Sequence, residues 1–398
     1  MNFEQVKQQE QANMMHTYGR FPVALVKGKG VRAWDTEGKE YIDFASGIGV
    51  NALGWCDEGW VKAVSHQAGE LQHISNLYYN PLQTQLAEVL CKASGLSKVF
   101  FGNSGAEANE CAIKLARKWG MEQSPDKNRV VTLQNSFHGR TVTTLAATGQ
   151  EEFHKWFFPF TEGFDYAPAN DLEAVEKAIT DKTCAVMVEL IQGEGGMFLL
   201  EKDFVQGLRK LCDEKNVLLL VDEVQTGISR TGAFYCYQNF DILPDVVSSA
   251  KGLGGGLPIG ACLCGEKLQN VLTGGMHGST FGGNPIVCAG ALEVLSRVNT
   301  PEFLAQVKEK GEYFREELAK LPHVENVRGM GLMIGADVDK DWGKTAGNVA
   351  SACIDGGLLI LTAHSALRFL PPLVITKEEI DEGLARLKTV LETLQKGS

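Results

Sequence analysis

Residues 248–260 read SSAKGLGGGLPIG: one lysine, Lys251, followed by five residues of which four are glycine. A lysine amine does covalent or proton-transfer chemistry only if it can lose its charge and move, and small flexible neighbours leave room for the movement. The glycines do not spell a dinucleotide site. Gly252, Gly254 and Gly256 give G-x-G-x-G without the third glycine of G-x-G-x-x-G, and Pro258 denies a helix there. By itself a lysine at a strand end is more often a surface terminus than a reactive group.

Three further stretches change that balance. In VLLLVDEVQTG, Asp222 ends an apolar run, which puts a carboxylate at a strand's carboxyl end; buried there, it needs a partner that tolerates a full negative charge. In FFGNSGAEANECAIKLARK, Ser104, Gly105 and Ala106 open a helix, where unpaired N–H groups and the helix dipole favour an anion. Ser104 to Glu107 is equally S-x-x-E, a capping box, and both readings stand. In NSFHGRT, Phe137 can stack on a flat ring and Arg140 can take a carboxylate in bidentate fashion, although core packing and a surface charge explain each alone. A helix start for a phosphate, an aromatic face, an acid for a ring nitrogen and a lysine for an aldehyde together describe pyridoxal phosphate.

These residues need strands to carry them. Short apolar runs recur at KVFF (98–101), RVVTL (129–133), AVMVEL (185–190), VLLLVDE (217–223), DVVSSA (245–250) and IGACLC (259–264), with helix-length amphipathic stretches between several of them. The pattern predicts an α/β fold with a mostly parallel sheet covered by helices, its site at the carboxyl ends of the strands. Residues 20–47 read as a small antiparallel meander turning at TEGKE, and beyond about residue 290 helices surround short strand-like pieces. Two domains follow: a large one over 48–290, and a smaller α+β one built from 1–47 and 291–398, with the ligand in the cleft between them.

Composition bounds the partners. Lys plus Arg number 38 against 49 Asp plus Glu, a formal net charge of −11, so the electrostatic footprint of a nucleic-acid or anionic-membrane binder is missing. The 10 cysteines form no C-x-x-C pair and no zinc spacing, which predicts core thiols in a reducing cytoplasm and no metal. The polar start lacks the apolar stretch of a signal peptide.

The motifs YGRFPVALVKGKG, YIDFASGIGVNALG, SNLYYNPLQTQLAEVL, FFGNSGAEANECAIKLARK, SFHGRTVTTLAATGQ, GEGG, VDEVQTGISRTG, AKGLGGGLPIGA, GSTFGGNP and LRFLPPLVIT run nearly end to end. On them the chain resembles the class III, fold type I pyridoxal phosphate-dependent aminotransferases. The resemblance implies that Lys251 holds the cofactor as a Schiff base, Asp222 pairs with its pyridine nitrogen and Gln225 lies near its phenolic oxygen. It further implies cofactor contacts from Ser104, Gly105, Ala106, Phe137, His138 and Val224, with Thr280 reaching the phosphate of a neighbouring subunit in a homodimer with shared sites. Tyr18, Arg140, Glu194, Ser279 and Arg368 would bind substrate. The implied reaction moves the terminal amine of N2-acetyl-L-ornithine to 2-oxoglutarate, giving N-acetylglutamate 5-semialdehyde and glutamate; ornithine, succinylornithine and 4-aminobutyrate are the alternative donors. One departure stands out: residues 54–60 read GWCDEGW where the family commonly has GHCHP.

Overall fold

The computed structural model describes residues 1–396. Its largest element is a seven-stranded sheet whose strands, in chain order, are β1 (Lys98–Gly102), β2 (Arg129–Leu133), β3 (Phe164–Ala167), β4 (Thr183–Val188), β5 (Leu218–Asp222), β6 (Val246–Ser249) and β7 (Gly260–Cys264). Their order across the sheet is β1-β7-β6-β5-β4-β2-β3. All the pairings are parallel except those of β7, which runs antiparallel to both neighbours. Every residue of β4, β5, β6 and β7 is buried, as expected of continuous apolar strands covered on both faces. The helix Lys202–Glu214 shows how the cover is made: Phe204, Val205, Leu208, Leu211 and Cys212 form one apolar stripe at helical spacing, and all are buried.

Six of the seven strands coincide with the apolar runs of the sequence. β3 does not, because FDYA is a short edge strand with one fully buried residue and so carries no continuous apolar signal.

The flanking segments meet one another. Leu25–Lys29, Arg32–Asp35 and Glu40–Asp43 form the N-terminal meander, and its second turn is pinned by Asp35 Oδ1, which accepts from the N–H groups of Glu37 and Lys39, both at 2.9 Å. Gly38 in that turn has φ +81°, a conformation that favours glycine. Strand Leu358–Leu359 then adds in parallel to Glu40–Asp43. Phe44 lies 4.9 Å from Phe314 and 6.4 Å from Phe369 between ring centroids, so the two ends of the chain share one aromatic cluster. Helix Pro285–Val298 runs unbroken through residue 290, joining the central sheet to the C-terminal segment.

Among the described residues no helix is long and apolar enough to cross a membrane. All 10 cysteines are free, and eight of them are buried.

Candidate active site

Parallel strands end on the same side of a sheet, so β6, β5, β4 and β2 deliver the residues that follow them to one edge. There a cavity of about 470 Å³ opens, lined among others by Ser104, Gly105, Ala106, Phe137, His138, Arg140, Asp222, Val224, Gln225 and Lys251. Ten of the residues singled out in the sequence therefore share one cavity, although the chain between Ser104 and Lys251 visits five strands.

Lys251 follows β6 by one residue, has φ +43° and opens a short 3-10 turn, Lys251–Gly254, in place of an α-helix. Burial pushes its amine below the ordinary lysine value; Arg368 acts in the same direction, while Glu194, Glu189 and Asp222 oppose it. Of the glycines behind it, Gly254 and Gly255 are tightly packed, while Gly256 is exposed. Gly254 is buried, its carbonyl accepts from Trp60 Nε1 at 3.1 Å, and Gly255 has φ +60°. A methyl group at Gly255 would lie 2.8 Å from both Trp60 Nε1 and Val294 Cγ2. The run serves the lysine by turning the chain sharply against Trp60, which corrects the expectation of a loose segment. The unusual GWCDEGW loop thus supports the lysine turn through Trp60, while Trp55 Nε1 donates to Asp43 Oδ2 at 2.7 Å.

Asp222 ends β5 and is 4% exposed. Its Oδ2 accepts from His138 Nδ1 at 2.9 Å and from Asn109 Nδ2 at 2.7 Å, and its Oδ1 accepts from Val224 N at 3.0 Å. Three donors fix the carboxylate, and the bond to Asp222 leaves His138 Nε2 buried without a partner. Gln225 Oε1 is likewise buried and unpaired.

At the end of β1, Ser104 caps helix Gly105–Gln123 by accepting from Glu107 N at 3.2 Å, and Glu107 Oε2 accepts from Asn103 N at 2.6 Å. The cap is real, and it leaves Gly105 and Ala106 as the first helical residues on the cavity wall, where N–H groups face an anion. A side chain at Gly105 would meet Val224 Cγ1 at 2.7 Å, so the helix start and the Asp222–Gln225 turn close on one another.

Phe137 is half-buried and packs edge-on to Phe153, 6.1 Å between centroids. The exposed Arg140 guanidinium sits over both rings, 5.2 Å from Phe137 and 4.1 Å from Phe153. Arg368 comes from strand Ala366–Phe369, is 4% exposed, and pairs through Nη1 with Glu194 Oε1 at 2.5 Å. The same Nη1 donates to Gly193 O at 3.4 Å, and its Nε is buried and unpaired.

Three expected residues lie elsewhere in the single chain. Ser279 is one step behind the rim, its Oγ accepting from Asn103 Nδ2 at 3.0 Å. Thr280 is exposed beside it. Tyr18 is 73% exposed and lines a separate hollow against the N-terminal helix, under the Arg20 guanidinium.

Two residues of the site escaped sequence reasoning. Asn109 orients Asp222 from the second turn of its helix and carries no local signal. Glu189 directly follows β4 and ends the apolar run AVMVE much as Asp222 ends VLLLVD, a pattern that could have drawn attention to it. Burial pushes its carboxyl up to about 7; His138 works against the rise and Asp222 adds to it.

Residues 13–391 match the family described as Aminotransferase class-III. The chain belongs to the class III aminotransferases. It is 47% identical over 396 residues to an acetylornithine aminotransferase of Haemophilus ducreyi, covering 99% of this chain and 100% of that protein. It is 45% identical to a succinylornithine transaminase of Yersinia pseudotuberculosis, covering 94% of each. Among solved structures, the ornithine aminotransferase of Toxoplasma gondii superposes with a TM-score of 0.95 at 33% identity, covering 100% of this chain and 97% of that one.

Class III aminotransferases use pyridoxal phosphate, and this cavity fits that group. The helix start at Gly105 and Ala106 suits the phosphate, Phe137 offers a face, and Asp222, held by three donors, suits a protonated ring nitrogen. The unpaired Gln225 Oε1 offers a further polar contact, and the depressed Lys251 amine suits an aldehyde.

Proposed function

We propose that this class III aminotransferase moves the terminal amine of N2-acetyl-L-ornithine to 2-oxoglutarate, with Lys251, Asp222 and the Arg368–Glu194 pair as its central groups. When bound, pyridoxal phosphate supplies an electrophilic carbon for the amine and a ring that accepts electrons from the reacting carbon. Lys251 Nζ, neutral more readily than an exposed lysine, would take the proton from the reacting carbon and deliver it to the cofactor carbon that had carried the aldehyde. Asp222 holds a proton at the ring nitrogen, and His138 and Asn109 keep its carboxylate aimed. Ser104, Gly105, Ala106 and Val224 bound the phosphate end, and Arg140 holds the carboxylate remote from the reacting carbon.

The observation that carries the substrate reading is the ion pair between the buried Arg368 and the partly exposed Glu194. An amine donor that reacts at its terminal carbon has no carboxylate there, so a bare Arg368 would be an unpaired buried charge in that complex. Glutamate does bring a carboxylate to the same place. Glu194 neutralises Arg368 for the first substrate and yields it to the second. Glu194→Ala is therefore expected to favour the glutamate half-reaction over the acetylornithine half-reaction, and Arg368→Ala to do the opposite. Each ratio should shift roughly ten- to over a hundredfold, the worth of one charged hydrogen bond. Single-turnover rates of both halves, run with acetylornithine, succinylornithine, ornithine and 4-aminobutyrate, test the gate and the donor together; equal slowing of both halves would overturn the gate. Succinylornithine is the second candidate, in view of the 45% identity to a succinylornithine transaminase.

The same reading includes a homodimer with shared sites. Asn76 Nδ2 donates to the carbonyls of Ser279 and Gly282, both at 3.0 Å, which brings Leu77, Tyr78 and Tyr79 next to Phe281. These four are 87%, 72%, 98% and 60% exposed, large side chains of the kind an interface covers. A second copy covers it, carrying Thr280 to its neighbour's phosphate end, with Ser279 and Tyr18 serving the substrate. Mixing Thr280→Ala with Lys251→Ala subunits should restore about a quarter of wild-type sites, since half of the randomly paired dimers regain one intact site. Activity no higher than that of the two separate variants in proven mixed dimers would refute the sharing. The division into 48–290 and 1–47 with 291–398 belongs to this reading, supported by the shared Phe44, Phe314 and Phe369 cluster. So does a cytoplasmic setting, supported by the free, mostly buried cysteines.

A further inference from the structure

Glu189 stands at the centre of the sheet edge, after β4, between the strand that leads to Phe137 and the strand that ends in Asp222. It is 5% exposed and forms part of the cavity wall. No lysine or arginine is bonded to it. Its Oε1 accepts from the backbone N–H of Phe137 at 2.8 Å, and its Oε2 accepts from the backbone N–H of Gly193 at 3.3 Å. The charged and titratable groups around it are His138, Asp222 and Lys251.

The two amides belong to different loops with different tasks. Phe137 carries the aromatic face and leads into His138 and Arg140. Gly193 precedes Glu194, and its carbonyl accepts from Arg368 Nη1 at 3.4 Å. Gly193 is also wedged against Gln225, whose Cδ would lie 2.5 Å from a side chain placed there, so the loop has little freedom to settle elsewhere. A carboxylate at this position does what neither an amide nor a hydrocarbon does: both of its oxygens accept, one from each loop.

We propose that Glu189 is a positioning residue that ties the Phe137 loop to the Gly193–Glu194 turn, and so sets how firmly Glu194 masks Arg368. The proposal rests on the amine-transfer reading for its kinetic consequence, while the tie itself is open to a measurement that involves no substrate. Glutamine keeps the shape of Glu189 but has one acceptor oxygen, so Glu189→Gln loses one of the two ties, and Glu189→Ala loses both.

Two measurements on the pyridoxal phosphate-loaded protein decide it. In the first, peptide-resolved amide hydrogen exchange is compared between the unaltered protein and the two variants. Exchange at Gly193 or Phe137 should be about tenfold faster in Glu189→Gln, and faster at both in Glu189→Ala. In the second, the ratio of glutamate to acetylornithine half-reaction rates is measured for Glu189→Gln alone and in a Glu194→Ala background. The single variant should raise the ratio about three- to tenfold, and the double variant should match Glu194→Ala, because a residue that acts through Glu194 has nothing left to act on. Unchanged exchange at both amides overturns the tie. A ratio effect that persists at full size without Glu194 overturns the route through the gate. If the unaltered protein shows neither half-reaction with any donor, the functional reading fails, and the exchange experiment alone still decides whether Glu189 ties the loops.

Discussion

Lys251→Ala is expected to bind pyridoxal phosphate and to turn over at least about 10²- to 10⁴-fold more slowly, the usual worth of a positioned general acid–base group. Binding survives because the helix start, the Phe137 face and the Asp222 carboxylate are built by other strands. Turnover fails because no other lysine lines this cavity. Borohydride reduction of the unaltered enzyme followed by peptide mapping should place the pyridoxyl label on Lys251, and a label on any other lysine would refute the assignment. A second readout needs no turnover. In protein stripped of cofactor, competitive acylation should modify Lys251 at a lower pH than a solvated lysine amine, since burial lowers the Lys251 pKa and a lowered pKa means a neutral amine at lower pH. A Lys251 that titrates like a fully solvated lysine side chain would contradict the desolvated environment.

Asp222→Asn is expected to fold, to hold less cofactor and to lose most of its activity. The loss has two sources. An amide cannot keep a ring nitrogen protonated, and the amide also disturbs the groups that aim it. Asp222 accepts from three donors, His138 Nδ1, Asn109 Nδ2 and Val224 N, on two oxygens. In asparagine one of those oxygens becomes an N–H donor, so at least one buried N–H meets another and neither is paired. Loss of a charge-assisted hydrogen bond costs about 1.5–3 kcal/mol, and the unpaired donor adds to it. A fall in kcat/KM of roughly two to three orders of magnitude should result, measured beside a circular dichroism spectrum that reports an intact fold. Near-native turnover would show that Asp222 does not face the ring nitrogen.

These two variants probe groups that differ in how they are held. Lys251 sits on a turn stiffened from behind by Trp60 and by Val294 of helix Pro285–Val298. Asp222 sits at the end of a fully buried strand and is oriented by side chains from two other elements. The Lys251 amine and the Asp222 carboxylate are thus delivered by adjacent parallel strands, β6 and β5.

The sequence by itself determined a good deal of this protein. Continuous apolar runs such as AVMVE and VLLLVD specify strands buried on both faces, because the signal lies in consecutive residues and needs no partner to be read. The Ser104 cap is equally local, since a side chain bonds to an N–H three residues on. Lys251, Asp222, Ser104 and Phe137 were legible as residue types at strand ends, and the motifs around them resembled one family along nearly the whole chain. Tertiary structure alone decided the rest. Which strands lie side by side is not written in any periodicity, and the order β1-β7-β6-β5-β4-β2-β3 is what places Glu189 between Phe137 and Asp222. The Arg368–Glu194 pair joins residues 174 apart, and its 2.5 Å contact exists only because the C-terminal strands fold back onto the sheet edge. Of the glycines after Lys251, which looked like slack in the sequence, Gly254 and Gly255 pack against Trp60, for a missing side chain signals room only until a neighbour fills it. Edge strand β3 was silent for the converse reason: with one fully buried residue, it owes its place to the strand beside it and not to its own hydrophobicity.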